Sequence, residues 1–244
     1  MKKLFLFAAV MFSSISFSSC SEDGNKENQT SQKLLKQIEE ISADKTIYYD
    51  FSYDDQQRLA KVIVDGDICY SNGDFTYTYT DNSVGVKFNS SCGDEYSYDA
   101  AFALDHNGYV TEFDINGKIN WRYEYENGYV SKKQSTSVVS PLFWTYRWEN
   151  GNLMEQRNSY SNSTTYTYTD KPNKLNINLF DAQFGLSNFG IFAYVVFLPT
   201  NFKGSIPSNY PASADNSNIY YEYDDEGYPT QIVGPNANYI LTYY

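Results

Sequence analysis

Groups of carboxylates are the side chains in this sequence whose type and spacing come nearest to catalytic chemistry. They stand at Asp54–Asp55, at Glu124 with Glu126, and at Asp224–Glu226. Two carboxylates about 5–10 Å apart can hydrolyse a glycosidic bond. Here the groups recur at the same turn position in successive repeats, which turn formation explains better than one active site. We therefore predict that the protein is not an enzyme, and the alternative is a glycoside hydrolase-type enzyme that uses turn carboxylates.

Other catalytic signatures are missing from the sequence. The chain has one histidine, His106, in a predicted turn. It contains no nucleophile elbow, phosphate loop, dinucleotide fingerprint or zinc-ligand pattern. We predict no catalytic residue, no metal site and no cofactor. The formal net charge of −12 argues against a nucleic-acid partner, because phosphate contacts need clustered Lys and Arg.

Aromatic side chains offer binding chemistry instead, and they make up 18% of the residues. Tyr and Trp combine a large contact area with a polar tip, which suits sugars and protein surfaces. Most of them are predicted to form the core. The exceptions that we single out as ligand-binding candidates are Trp121, Trp144, Trp148, Tyr194 and Tyr210. We predict a non-catalytic binding or interaction module for a glycan or protein ligand, with a purely structural envelope protein as a further alternative.

A repeated unit must position these side chains. In each copy an aromatic strand enters an acidic or Asn/Gly-containing turn and a second strand leaves it, as in Tyr221–Ile232 and Phe51–Val62. The anchor residues that precede the turns are 20 to 26 residues apart over six copies, and a seventh copy follows an insertion. Such turns join antiparallel strands in hairpins. A fixed period of this kind sets the architecture of the whole chain.

The strands alternate between an aromatic and a polar face. Trp121, Tyr123 and Tyr125 share one face, and Arg122 and Glu124 share the other. This is typical of a sheet with one buried and one solvated face. We predict an all-β fold: an antiparallel meander of about 14–15 strands built from hairpin repeats and curled into a barrel-like shell, since large sheets curl or close. The aromatic face is predicted to point inward, with the shell outside the bilayer and not acting as a pore.

Two segments interrupt the repeats. Leu34, Leu35, Ile38 and Ile41 have helical spacing, which predicts a short N-terminal helix over residues 31–43. Residues 180–217 form an insertion that contains the apolar run 189–198. We predict that this run is a helix or buried segment at the mouth of the sheet. The division is thus a signal peptide at 1–19, a flexible tether at 20–30, and a single β-repeat domain at 31–244.

The N-terminus is predicted to direct export. Two lysines precede an apolar segment too short to span a membrane. Residues 17–20, Phe-Ser-Ser-Cys, resemble the lipobox of bacterial lipoproteins, and the acidic residues that follow Ser21 resemble the surface-sorting signal of Bacteroidota. These resemblances imply cleavage before Cys20, lipidation of that residue and an outer-membrane lipoprotein at the cell surface. Its membrane contact would be the lipid anchor.

Cys69 and Cys92 are the two cysteines that remain. An even pair in an exported chain is a candidate disulfide. The sequence leaves two possibilities open, a disulfide or two free thiols, because it does not give the distance between the two Cα atoms.

Two family resemblances follow from the repeats. The unit at Tyr221–Ile232 and Phe51–Val62 resembles the YD repeat of rearrangement-hotspot proteins and teneurins, which form a spiralling β-sheet shell. The whole of residues 20–244 also resembles an uncharacterised family of Bacteroidota lipoproteins with a porin-like β-fold. That resemblance implies a fold and a location but no activity.

Overall fold

The structure, a computed structural model, describes residues 32–66, 72–137, 142–175, 204, 206–215, 217–235 and 237–244. These residues belong to one compact unit, Gln32–Tyr244. Its seventeen strands are β1 (Leu35–Ile41), β2 (Thr46–Tyr53), β3 (Leu59–Asp65), β4 (Gly73–Tyr79), β5 (Ser83–Ser90), β6 (Tyr98–Leu104), β7 (Val110–Ile115), β8 (Lys118–Glu126), β9 (Tyr129–Ser135), β10 (Phe143–Glu149), β11 (Asn152–Asn158), β12 (Ser163–Pro172), β13 (Asn209–Ala214), β14 (Ser217–Asn218), β15 (Tyr220–Tyr223), β16 (Pro229–Val233) and β17 (Asn238–Tyr243).

The strands form an antiparallel meander that closes almost completely into a barrel, which confirms the predicted fold class. Neighbours in sequence pair with each other from β1 to β14 and from β15 to β17, and β1 also pairs with β17. The two-residue strand β14 lies in line with β15, separated from it by Ile219, whose N–H donates to the Ala212 carbonyl oxygen at 2.8 Å. In the part of the chain that the structure describes, no strand register joins β13 to β15. The Tyr221 hydroxyl donates to the Pro211 carbonyl oxygen across this gap, at 2.6 Å.

Four turns share a hydrogen-bond pattern centred on an Asp or Asn side chain. After β6, the N–H groups of Asn107 and Tyr109 donate to Asp105 Oδ1 at 2.8 and 2.9 Å. The Gly108 N–H donates to the Asp105 carbonyl oxygen. Gly108 has a φ of 83°, a left-handed value that costs glycine little. The equivalent side-chain bonds are made by Asp54, Asn158 and Asp224.

A β-bulge recurs near the start of the second strand of the repeat. Ser52 and Tyr53 lie opposite Lys61 and Leu59, so Ala60 is an extra residue on β3. Bulges at the same place occur in β7, β9, β11 and β16. A bulge reverses the alternation of the side chains that follow it. Inward residues on these strands are therefore three apart: Leu59 and Val62, Val110 and Phe113, Val130 and Lys133, Leu153 and Gln156, Pro229 and Ile232.

The inward faces fill the shell with one hydrophobic core. A round barrel of about 16–18 strands leaves an aqueous channel. Here the inward side chains of most strands are buried and contact one another in a continuous cluster, whose largest members include Tyr49, Phe51, Phe88 and Tyr210. The described part of the shell is therefore a packed interior and not an open tube.

Four tyrosines bind the neighbouring strand through their hydroxyl groups. The hydroxyls of Tyr53, Tyr79 and Tyr168 donate to the carbonyl oxygens of Leu35, Leu59 and Leu153, at 2.7 to 2.8 Å. Tyr243 does the same to Pro229 at 2.7 Å. We call Tyr53, Tyr79, Tyr168 and Tyr243 the anchor tyrosines. Three of them are the aromatic residues that precede the turn in the repeat, so the repeated tyrosine ties adjacent strands together.

The N-terminal segment differs from the prediction. Leu35–Ile41 is strand β1 and not part of a helix. It fills the last place in the ring by pairing with both β2 and β17. Its pairing with β17 shifts register between Leu35 and Gln37, which places Leu35 and Ile38 in the core although they are three residues apart. The helical spacing was therefore produced by a bulged strand.

Strands β1, β13 and β14 were not among the 14–15 strands expected, and the strand expected after Lys174 falls mainly outside the described residues. The C-terminal part of the predicted insertion is strand β13, so it belongs to the sheet. The apolar run at 189–198 lies outside the described residues. Apart from the strands, the described ranges contain one short 3₁₀ helix, Asp94–Tyr96. None of their helices is long and apolar enough to cross a membrane.

Candidate functional site

The meander gives the shell two ends. At the near end lie the turns 54–58, 105–109 and 224–228, together with the first described residue, Gln32. At the far end lie the turns 42–45, 116–117 and 159–162. Every strand runs between these ends, so a residue's position along its strand fixes which end it approaches.

An aromatic and cationic cluster lies on the inward faces of β8, β9 and β10, toward the far end. The ring centroids of Trp121 and Trp144 are 5.2 Å apart and the rings meet edge to face. Lys133, on the strand between them, places Nζ 4.5 Å from the Trp121 centroid and 5.6 Å from that of Trp144. Lys133 is 8% exposed. A cation over an aromatic face is attracted by the ring quadrupole, which fixes the ammonium between the two indoles.

Polar side chains continue this face onto β11. Gln156 lies opposite Tyr146, and Asn158 lies opposite Trp144. Gln156 is 9% exposed, and its Oε1 has no hydrogen-bond partner among the residues that the structure describes. A buried acceptor without a partner is destabilising by about 1–3 kcal/mol. We call Trp121, Lys133, Trp144 and Gln156 the tryptophan site.

The tryptophan site can bind a ligand by stacking and by hydrogen bonding. Within the described ranges neither indole N–H of Trp121 or Trp144 donates a hydrogen bond. Both rings are only partly buried. The cluster therefore offers partly exposed aromatic rings, two donors and one acceptor. It contains no nucleophile paired with a base, and no group of metal-ligating side chains occurs in the described part of the chain.

Trp148 lies away from this cluster and has structural contacts. Its indole N–H donates to the Val130 carbonyl oxygen at 2.8 Å. Its ring stacks on Tyr129 with the centroids 4.8 Å apart. It follows Trp144 by four residues on β10 and so lies near the near end. These contacts make Trp148 a counterpart of the anchor tyrosines.

Tyr210 is also placed by packing. It is fully buried, and its ring contacts Tyr221 and Tyr223 with centroid distances of 5.5 and 5.7 Å. Its hydroxyl accepts the Lys174 N–H at 2.9 Å. Burial raises the pKa of Tyr210 to about 12. This cluster fills the gap between β13 and β15.

Tyr194, Cys20 and Cys69 lie outside the described residues. Cys92 is disulfide-bonded in the structure. The pairing of Cys92 with Cys69 stays a prediction.

The turn carboxylates are engaged in the turns themselves. Asp105 accepts two backbone hydrogen bonds, and they hold the pKa of its carboxyl below the usual range. The bond from the Tyr109 N–H has the larger effect. Asp224 accepts two backbone N–H groups and pairs with Lys33 at 2.7 Å. Glu124 lies on the outer face and pairs with Lys132 at 2.9 Å. Each carboxylate thus has a local role in a turn or on the outer surface.

Sequence reasoning did not select Lys133 and Gln156. Strict alternation from Val130 places Lys132 inward and Lys133 outward, and the bulge reverses this. The signal lay in the repeat, since the apolar pairs of the other second strands are spaced by three. Had that spacing been applied, both polar residues would have been assigned to the inward face.

Comparison with known proteins supports the fold. No family model and no curated protein sequence matches the chain. It is similar to the crystal structure of a porin-like protein from Bacteroides uniformis, with a TM-score of 0.61 and 13% identity, over 86% of this chain and 96% of that one. A porin-like protein from Bacteroides vulgatus gives 0.56 and 14%, over 87% and 99%. The chain thus shares the nearly closed antiparallel barrel of these porin-like proteins.

Proposed function

We propose that this chain is a surface-exposed outer-membrane lipoprotein, anchored through Cys20, that binds glycans non-catalytically at the tryptophan site. The observation that carries the proposal is a departure from the repeat. At the inward position that holds Val62, Phe113 and Ile232 in three repeats, two consecutive repeats hold Lys133 and Gln156. These two polar residues lie beside both inward-facing tryptophans of the far end.

The other repeats show which residues this position accepts when it only stabilises the fold. Val62 and Ile232 are almost completely buried there. Burying the amide oxygen of Gln156 at the corresponding position, where no described residue donates to it, opposes folding. Sequences usually depart from a local rule where function requires it. Partly exposed indoles beside buried polar groups form the kind of surface on which sugars stack.

The path of the chain supports an orientation in which the tryptophan site points away from the membrane. The domain begins at the near end, where Lys33 Nζ lies 2.7 Å from carboxylate oxygens of both Asp224 and Glu226. The Lys33 N–H also donates to the Tyr228 hydroxyl at 3.1 Å. A tether from Cys20 would therefore reach the shell at this end. The far end would then face the medium.

Charges on the outer face support a position outside the bilayer. A transmembrane barrel turns an apolar band toward lipid, and a Lys or Arg at mid-bilayer costs about 2–4 kcal/mol. Here the ion pairs Glu112–Arg122 and Glu124–Lys132 join neighbouring strands on the outer face, and Glu155 pairs with Arg157 on the same strand, β11. Strands β7 to β11 therefore carry charge where a pore would need apolar side chains.

A glycan array with the full-length chain tests this function. We expect retention of at least one sugar class without release of product. A variant with Trp121→Ala and Trp144→Ala should lose this retention, whereas Trp148→Phe should keep it because that ring lies elsewhere. An array without any signal contradicts the proposal, as does a signal that survives the double substitution. Release of shorter sugars would support the hydrolase alternative instead.

A further inference from the structure

We propose that the outer face of β17, β1, β2 and β3 is a docking surface for a basic polypeptide segment, one in which Lys or Arg side chains stand beside apolar ones. We call this surface the Tyr48 face. It lies on the outer side of the sheet and on other strands than the tryptophan site, so docking there goes beyond the proposed glycan binding and does not depend on it. Its members are Tyr48, Ile63, Ile240, Glu39, Asp50 and Asp65.

The strand register brings the Tyr48 face together in two adjacent rows that cross the strands. Tyr48 lies opposite Glu39 on one side and opposite Asp65 on the other. In the second row Asp50 lies opposite Ile63. Adjacent strands are about 4.8 Å apart, and diagonal neighbours on the same side of a sheet are also within side-chain reach. These side chains therefore form one continuous outer surface.

Three members of the Tyr48 face expose apolar surface to water. Tyr48, Ile63 and Ile240 are 39%, 45% and 42% exposed. Ile240 extends the first row onto β17, where it lies opposite Glu39. The solvated side of an antiparallel sheet ordinarily carries polar side chains. Apolar side chains that are grouped and rimmed by polar ones are typical of a surface that binds a partner.

The acidic members of the Tyr48 face are not neutralised by cations of the described chain. Glu39, Asp50 and Asp65 form no ion pair with any residue in the described ranges. Glu39 accepts a hydrogen bond from the Tyr48 hydroxyl at 3.3 Å, and Asp50 accepts one from the Gln37 amide at 2.8 Å. The charge of Glu39 has the largest effect in raising the pKa of Tyr48 above its ordinary value, and Asp65 adds to it. A negative potential therefore surrounds the exposed ring.

Strands β7 to β9 show that the outer face of the same sheet pairs its acids elsewhere. Glu112 and Glu124 each pair with a basic side chain of the neighbouring strand, at 3.0 and 2.9 Å. A basic side chain beside the Tyr48 face, Lys61, pairs at 3.7 Å with Asp74, which is not a member of the face. Positive charge for the three carboxylates of the face can therefore come from a partner. Such charge complementarity steers association and fixes the orientation of the partner.

The spacing of the Tyr48 face favours a polypeptide over a small cation. Glu39 and Asp65 are two strands apart, about 9.6 Å, with Tyr48 between them. A calcium ion contacts its oxygen ligands at about 2.3–2.6 Å, so one ion does not bridge the two carboxylates. Two Lys or Arg side chains can reach them and lay their apolar stems along the tyrosine ring. A basic segment with apolar residues therefore uses both the charge and the apolar surface of the face.

Fluorescence anisotropy with the full-length chain and labelled peptides tests this docking. The first peptide alternates pairs of lysines with pairs of leucines, so that each of its sides presents both. Serines replace the leucines in the second peptide, and glutamates replace the lysines in the third. We expect the lysine–leucine peptide to bind about 3–10-fold more tightly than the lysine–serine peptide, because it buries apolar surface, and the glutamate–leucine peptide not to bind. Absence of binding by the first peptide, or equal binding of any two peptides, would overturn the inference.

Substitutions of the carboxylates test whether the charge of this face is recognised. The variant with Glu39→Gln and Asp65→Asn should bind the lysine–leucine peptide about 3–10-fold more weakly than the wild type, since each exposed ion pair contributes modestly. The matched control, Glu112→Gln with Glu124→Gln, changes the net charge equally and should bind like the wild type. Equal weakening in the variant and its control would mean that the peptide senses only net charge, which contradicts the inference.

The apolar members are tested by Tyr48→Ser combined with Ile63→Ser, two exposed positions at which we expect circular dichroism to show an unchanged fold. This variant should bind the lysine–leucine and lysine–serine peptides equally, and a preserved preference for leucine would speak against the docking surface. Sedimentation velocity of the wild type tests a second copy of the chain as the alternative occupant. We expect a monomer. A dimer that is lost in the serine variant would assign the face to self-association and overturn docking of a basic segment.

Discussion

The anchor tyrosines allow a quantitative test of how the repeat holds the shell together. Replacing Tyr79, Tyr168 or Tyr243 by Phe removes one hydroxyl and keeps the ring in place. Each substitution deletes a hydrogen bond of 2.7 to 2.8 Å to a carbonyl oxygen of a neighbouring strand. A typical intramolecular hydrogen bond contributes about 1 kcal/mol of net stability. We therefore expect each variant to lose about this much free energy of unfolding.

The triple variant should lose the sum of the three effects. Tyr79, Tyr168 and Tyr243 lie on β4, β12 and β17, so at least four strand steps separate any two of them around the ring. At about 4.8 Å per step this is beyond the distance at which mutations couple. The sum is about 3 kcal/mol. For a domain of this size it corresponds to a fall in Tm of about 6–12 °C.

Urea and thermal unfolding, followed by tryptophan fluorescence and circular dichroism, measure these losses. Tyr48→Phe is the control, because its hydroxyl donates to Glu39 on the outer face at 3.3 Å and the side chain is exposed. We expect the control to change stability by less than about 0.5 kcal/mol. Anchor variants that are as stable as Tyr48→Phe would refute a structural role for the repeated tyrosine.

Three further predictions concern charge and anchoring. The Glu40 residue is 2% exposed, and burial raises the pKa of its carboxyl above the ordinary value of 4.5. The contribution of Glu40 to stability is therefore fully present below pH 4.5 and is lost as the pH rises through the higher pKa of the folded state. Glu40→Gln should remove this fall, seen as a smaller drop in Tm between acid and neutral pH than in the wild type. Backbone N–H donors hold the pKa of Asp105 below its usual range. The contribution of Asp105 to stability is therefore present at a pH above the usual pKa and is lost as the pH falls through the lowered pKa of the folded state. The stability advantage of the wild type over Asp105→Ala should therefore disappear in acid, and an advantage that stays constant with pH would contradict this. Cys20→Ala should abolish labelling by a fatty-acid probe and release the protein from membranes, and continued labelling would rule out this anchor.

The hairpin architecture was predictable because local and long-range preferences agree in the repeat. Asp105 and Gly108 fix a turn by short-range hydrogen bonds and backbone freedom, and these are visible in the sequence. The anchor Tyr79 marks the end of a strand in the same way. Each strand of a meander pairs with its neighbours in sequence. Only the pairing of β1 with β17, which closes the ring, depends on residues far apart in the sequence.

The contents of the site were harder to predict because they depend on the bulges. A bulge shifts a strand by one residue, and this reverses which side chains face inward. Strict alternation from Val130 and Leu153 would therefore place Lys133 and Gln156 on the outer face. The same effect in β1 gave Leu35 and Ile38 the spacing of a helix. Trp121 keeps strict alternation with Tyr123 and Tyr125 because the bulge in β8 lies before it, at Asn120, and this is why its inward face was predicted.

Ligand-induced change in tryptophan fluorescence is the measurement that tests the central claim most directly, since the chain has three tryptophans and two of them belong to the site. A sugar that binds as proposed should change the emission of the wild type and of Trp148→Phe to a similar extent. The variant with Trp121→Phe and Trp144→Phe, in which Trp148 is the only tryptophan, should show no change. A change that persists in this variant and is lost in Trp148→Phe would place the ligand at the near end and contradict the account.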